Sequence, residues 1–344
     1  MAKVIDVSDD NGSNYYTIPG ANGDLSQEAG VLNDTIFGQT YQSQQSGVIK
    51  WSVAAGATYK GYAGYVAEIK KHGSSTSMTG EAMSLVSGKT YKITNAAKNC
   101  WNRAGTFVVY DNAVDHTADV LSIDYLWGRV TFKAAYTPTT PITVDGAYFP
   151  LTALGQGQSF NLTMNAAEIR TTTFALVQAN GGYHTHDPGL RTATLDITGV
   201  YALASGFKSA LASRSEWVVE VNPDGADKSS ARGFFKILKY GQKGDVGALE
   251  EDTVSFTLQV PVDELLANPF SWIHASDTIM PTALQKVLTA WQNETKLDLR
   301  YLPDGTNGDK GDVIVTECSL SSGLEAMNEF KLSFTGDGVL SAHP

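Results

Sequence analysis

Cysteine is scarce in this chain of 344 residues: Cys100 and Cys318 lie far apart, with no CxxC pair. That excludes a disulfide framework, and two reduced thiols in a cytosolic setting are expected. Charge is scarce as well. Only 18% of residues are charged, against about 25% in an ordinary domain, so part of the surface is expected to be covered by other chains or built from Ser, Thr, Asn and Gln. Basic residues are outnumbered, 25 against 36 acidic, for a net charge of −11. A grip on nucleic acid through phosphate contacts needs a basic face and is excluded. An acidic balance suits a surface past which a polyanion slides. No run of about 18 apolar residues occurs, so no helical membrane span is expected. The opening "MAKVIDVSDDNGS" has no apolar core, and no signal peptide is expected. GxSxG, HExxH and P-loop motifs are missing, and "GDKGD" (308–312) lacks EF-hand spacing.

What the chain does hold is β patterning. Short alternating runs recur at 47–55, 105–111, 128–136, 158–166, 191–199, 216–223, 233–240, 252–260, 295–303, 311–320 and 329–336, most bounded by Gly, Pro, Asn or Asp. This spacing predicts antiparallel sandwiches or barrels. Helices are few. The stretch 202–213 places Phe207, Ala210 and Leu211 on one face, and 282–292 does the same for Leu284, Val287, Leu288 and Trp291 behind Pro281. Residues 61–71 are a weaker third helix candidate. Trp51, Trp217 and Trp291 fall inside these patterns, and the six tryptophans are expected in cores rather than on a sugar-binding platform.

One stretch looks like chemistry. "GGYHTHDPGL" (181–190) sets Tyr183, His184, His186 and Asp187 together, and imidazole beside carboxylate is a recipe for a metal site. An internal repeat supplies the control. "NDTIF" (33–37) matches "RTTTF" (170–174), and "YQSQQSGVIKWSV" (41–53) matches "YHTHDPGLRTATL" (183–195) without a gap. His184, His186 and Asp187 fall on Gln42, Gln44 and Gln45, so what recurs is a polar loop and not a ligand set. No metal, cofactor or catalytic residue is therefore assigned, and the loop is a candidate inter-ring or inter-subunit contact.

The back of the unit recurs too. "EWVVEVNPDG" (216–225) matches "TKLDLRYLPDG" (295–305), with Pro-Asp-Gly as the turn in both. "RGFFKILKYGQKG" (232–244) aligns with "GDVIVTECSLSSG" (311–323), and "TVSFTLQV" (253–260) with "EFKLSFTG" (329–336). The organisation read from this is an N-terminal arm over 1–30, the front half of module 1 over 31–79, and a small inserted β module over 80–150. Module 2 follows over 151–261 and the back half of module 1 over 262–344. The rival division takes 100–136 as a diverged back half and 262–344 as part of a third copy.

The succession "TTTF", "GLRTATLDITGVY", a short helix, "VVEVNPDG", "GFFKIL", an acidic turn and "VSFTLQV" resembles the tail tube (major tail) protein of long-tailed, siphovirus-like bacteriophages. The closing "NEFKLSFTGDGVL" resembles that family's last strand and terminal Gly-x-Gly. The resemblance implies a mainly β protein with two tube-like β-sandwich or barrel modules, each with a short flanking helix. It implies a structural, non-enzymatic virion protein, assembled in the host cytoplasm, whose stacked rings form a tube for DNA ejection. The ring would be a trimer with pseudo-sixfold symmetry, or a hexamer, and its partners the tape measure, terminator and distal tail proteins. Candidate lumen carboxylates are Glu220, Asp245, Glu250, Glu251, Asp252, Asp298, Glu317 and Glu325. The alternative is a related tail terminator, hub or capsid decoration protein.

Overall fold

The computed structural model describes residues 3–20, 22–33, 44–63, 67–154, 157–200, 206–225, 228–244, 251–275, 278 and 280–344. The fold is mainly β. The chain opens with β1 (Val4–Ser8), β2 (Tyr16–Thr17), β3 (Asn22–Asn33), β4 (Gln44–Ala63) and β5 (Glu68–His72). Next come β6 (Thr76–Ser87), β7 (Thr90–Ile93), β8 (Val108–Asp111), β9 (Val114–Asp115), β10 (Val120–Asp124), β11 (Arg129–Phe132) and β12 (Ile142–Tyr148). β13 (Leu151–Ala153), β14 (Gly157–Arg170), α1 (Phe174–Ala179), β15 (His186–Val200) and α2 (Phe207–Ser213) follow. The remainder is β16 (Glu216–Asn222), β17 (Ser229–Lys243), β18 (Glu251–Leu258), β19 (Phe270–His274), α3 (Thr282–Asn293), β20 (Leu297–Leu302), β21 (Gly308–Gly323) and β22 (Met327–His343).

Two compact units result: Met1–Ala67 with Ser159–Asp196 and His274–Pro344, and Glu68–Gln158 with Ile197–Ile273. In the first, antiparallel ladders run β2-β1-β20-β21-β22-β4-β3. β21 is long enough to pair twice on one edge, with β20 through Asp309–Val313 and with β14 through Glu317–Gly323. α3 packs on β1 and β21. Its Leu284, Val287, Leu288 and Trp291 recur at helical spacing and are all buried. Pro281 sits at the N-cap, and Glu294 closes the helix in a left-handed conformation at φ 57°.

The second unit repeats that order as β13-β5-β16-β17-β18, with α2 on β17 in the place α3 takes on β21. Between β5 and β13, where the first unit has only the loop 9–15, this unit carries a seven-stranded sheet, β10-β11-β7-β6-β12-β8-β9. Its core of Trp101, Phe107, Tyr125, Trp127 and Phe132 closes over Val218 of β16 and Phe234 of β17. Arg103 holds Glu216 through two hydrogen bonds of 2.9 and 2.7 Å, and the Trp127 indole donates to Ser271 Oγ at 2.6 Å. The insert therefore roofs the β16–β17 face of its own unit.

Several expectations need correction. Residues 1–30 are not a loose arm: β1 and β2 pair, β3 joins β4, and Ile5 and Val7 are fully buried beneath α3. The helix expected over 61–71 is strand on both sides of residues 64–66, which lie outside the described residues. Ladder pairing of Ile69 with Val221 and Lys70 with Glu220 overrides the local helical pattern. The segment 262–273 belongs to the second unit, because β19 pairs with β17.

The repeat register also moves. β-bulges fall at Leu238 in β17 and Thr316 in β21, and the cross-strand pairs Glu220–Arg232 and Arg300–Lys310 occupy equivalent places. The spacing between copies is thus one residue less than the sequence alignment of 232–244 with 311–323, so Gly233 matches Gly311 and buried Phe256 matches buried Phe334. A one-residue slip turns every side chain to the wrong face, which is why the bulge, and not identity, sets the register. The front halves match as aligned. A Cβ on Gly47 would meet Gly30 O at 2.9 Å and Leu32 Cγ at 3.4 Å, and one on Gly189 would meet Ala167 O at 2.8 Å and Ile169 Cγ1 at 3.0 Å. The same close approach recurs in both long hairpins.

Candidate functional site

The loop that carries the histidines is built into the first unit. Its backbone adds to β4: Ile49 N–H donates to Gly182 O at 2.8 Å, and His184 N–H to Ile49 O at 2.9 Å. It also meets the Gly336-Asp337-Gly338 turn of β22. His186 is 2% exposed; its backbone N–H donates to Asp337 Oδ1 at 2.7 Å, and its ring Nδ1 pairs with Gly336 O at 2.9 Å. Gly338 N–H donates to His184 O at 2.8 Å, while Gly338 O accepts from the Trp51 indole at 2.9 Å. Gly336 has to be glycine, since a Cβ there would lie 2.0 Å from Trp51 Cε2.

Charge closes the arrangement. Lys296 reaches both Asp187 at 2.7 Å and Asp337 at 2.8 Å. Burial disfavours its ammonium, but the hydrogen bonds it donates to the two carboxylates outweigh that and raise its pKa above the ordinary lysine value. Burial lowers the His184 pKa, with Arg170, His186 and Lys50 adding to the effect, and its ring pairs with Thr172 Oγ1 at 3.0 Å. His184, His186 and Asp187 are thus engaged with the chain itself. Among the described residues no three His, Cys, Asp or Glu side chains converge to hold a metal ion. Tyr183 is half-buried and bridges to Ile49.

The candidate lumen carboxylates scatter. Glu220 is 2% exposed beneath the insert, where it binds Arg232 Nε at 2.8 Å and Lys70 at 3.3 Å. Burial by itself would raise its pKa; Arg232, with a hydrogen bond from Asn222, outweighs burial and holds it below the ordinary carboxylate value. Asp252 is 4% exposed and accepts from the Tyr240 hydroxyl at 2.8 Å. Both are corrections: a channel-lining charge has to meet solvent, and these two are enclosed. Asp245 and Glu250 lie outside the described residues. Glu251, Asp298 and Glu317 are half-buried, and Glu325 is exposed in the turn before β22. The sequence reading missed Asp337, Lys296 and Trp51; the terminal Gly-x-Gly was their one visible trace.

The surface offers a different feature. β3 is long and exposed from Ser26 to Leu32, and among the described residues it pairs only with β4. The far half of β17, Leu238–Lys243, is also largely exposed, whereas its counterpart in β21 is covered by β14.

No family model and no curated protein matches the sequence. Two solved structures are partly similar. One is the tail of an empty gene transfer agent particle computed with helical refinement in C6 symmetry, at 14% identity and TM-score 0.29, covering 37% of this chain and 87% of that one. The other is the virion of a native gene transfer agent particle, at 16% identity and TM-score 0.29, covering 36% of this chain and 88% of that one.

Proposed function

We propose that the chain is a non-enzymatic structural subunit of a phage-type tail tube, which closes into rings by strand pairing between copies and stacks those rings around a channel for DNA. The observation that carries this reading is the junction of β14 with β21. There the second hairpin extends the first unit's sheet, from Ser159 opposite Gly323 to Asn165 opposite Glu317. The repeat gives the same roles to β3 and β17. Transferring the register sets Gly23 opposite Gly244 and Glu28 opposite Lys239, with Asp24 opposite Lys243. Two carboxylates thus meet two ammonium groups directly across a new ladder, the favourable arrangement for cross-strand neighbours.

Exposed long edge strands are a liability in a monomer, and a closed ring removes them. Three copies would alternate in-chain junctions with between-chain junctions of the same kind, which is pseudo-sixfold symmetry from a trimer; a hexamer is the alternative. The acidic chain suits passage of DNA without adhesion, with Asp245, Glu250, Glu251, Asp298, Glu317 and Glu325 as the remaining lumen candidates. Under this reading the protein resides in the virion, with tape measure, terminator and distal tail proteins as partners.

Negative-stain electron microscopy over a concentration series tests the proposal. Tubes or stacked rings with a central hole are expected, three subunits to each ring. Single rings that never stack would favour a terminator or hub role. Monomers alone, even at high concentration and after seeding with tail tips, would overturn the assignment.

A further inference from the structure

The seam between the insert and β16–β17 encloses a cavity of about 270 Å³. Its lining holds four cations, Lys92, Arg129, Lys228 and Arg232, against one carboxylate, Glu220. A concentration of positive charge is conspicuous in a chain whose net charge is −11. Arg232, 3% exposed, forms the floor; it is spent on Glu220, Asn99 and the Leu126 carbonyl, with its guanidinium 3.9 Å from the Trp127 ring centre.

The mouth is different. Lys92 on β7 stands directly opposite Arg129 on β11. Like charges facing across a ladder repel and destabilise the pair. Arg129 has Asp124 across its other ladder, but the residue facing Lys92 on β6 is Ser84. The volume is below the ~300–1,000 Å³ of sites for drug-sized ligands, so the occupant is small. Several cations lining one small space are the chemistry that recognises a multivalent oxyanion.

We propose that this cavity binds a compact oxyanion of the phosphate class, held by Lys92, Arg129 and Lys228 over the Arg232 floor. The bound anion relieves the Lys92–Arg129 repulsion and ties the insert to the sheet it roofs. This site is independent of ring formation.

Isothermal titration of the full chain with inorganic phosphate and with pyrophosphate, at low ionic strength and neutral pH, tests it. One saturable site per chain is expected, tighter for pyrophosphate. Lys92→Gln and Arg129→Gln should each weaken it by about tenfold or more, the worth of one charge-assisted hydrogen bond. Lys92→Glu places a carboxylate opposite Arg129, and should raise the melting temperature in phosphate-free buffer while abolishing binding. Lys92 is exposed, so this variant keeps the fold. Absence of a saturable site, binding unchanged in both Gln variants, or a Lys92→Glu protein that melts lower and still binds would each overturn the proposal.

Discussion

The two copies of one ladder, β5-β16-β17 and β1-β20-β21, have the same strand order and a different order of charges. In the first, Lys70, Glu220 and Arg232 lie side by side across three strands; in the second the equivalent residues are Asp6, Arg300 and Lys310. The first triplet is roofed by the insert, with Glu220 2% and Arg232 3% exposed. In the second, Asp6 is 9% exposed and Arg300 half-buried against the Tyr15 ring, while Lys310 is exposed. Water screens a like-charged neighbour such as Lys310 beside Arg300, whereas a roofed site tolerates charge only when it is paired and hydrogen-bonded. Covering one copy therefore leaves its charges more dependent on their partners than those of the other.

The strongest way to break the symmetry between the copies is to block the junction that only one of them makes within the chain. Lys239→Glu with Lys243→Glu should abolish rings in electron microscopy, as should Asp24→Lys with Glu28→Lys. Combining all four should restore them. Failure of the combination to restore rings would show that the transferred register is wrong.

A smaller effect separates the triplets. Arg232→Ala leaves Glu220 buried and should cost about 3–5 kcal/mol in denaturant unfolding. Lys310→Ala, at the equivalent exposed place, should stay within about 0.5 kcal/mol. The hairpin cores differ similarly. Trp51 under Gly336 corresponds to Ala193 and Leu258 in the other copy, with large and small exchanged. Gly336→Ala should cost about 1–3 kcal/mol by overpacking, and the same change should cost less in a Trp51→Ala background, which is itself destabilised by the cavity it opens.

The smallest effect concerns pH. The Glu220 carboxyl is held low in the folded chain, so its stabilisation is present above the ordinary glutamate pKa and is lost as pH falls through the depressed value. Asp312 of β21 is raised, by burial first and then by Asp298 and Asp337. Its folded form takes up a proton before the unfolded form does, so this one group adds stability as pH falls from that raised value to the ordinary aspartate value, whereas Asp10 and Asp304 beside β20, both held low by hydrogen bonds, remove it. Hydrogen exchange of β16 amides, corrected for intrinsic rates, should speed up on acidification.

Most long strands were legible because alternation and turn residues report a half-buried ladder directly. Two short ones that were missed share a cause, whereas β3 and β6, twelve residues each, were missed at full length. "VIDVS" and "EIKKH" are five residues each, and their neighbours β20 and β16 come more than 140 residues later. Periodicity over five residues is no signal, and only the distant partner makes them strands. The histidine pair shows the reverse. Residue type suggested chemistry, and the repeat removed it, because His186 aligns with Gln44. The burial of Glu220 was not legible either, since the side chains that cover it belong to an insert that local pattern cannot fold onto it.

The place of that insert has a practical meaning. It enters between β5 and β13, at the point where the other copy closes β1 to β2 through residues 9–15. One half of the molecule already shows that a whole folded domain fits in this hairpin without disturbing the ladder behind it. The short loop at Asp9–Tyr15 is the matching socket, and a fusion cargo installed there would be carried at a position the architecture has already accommodated once.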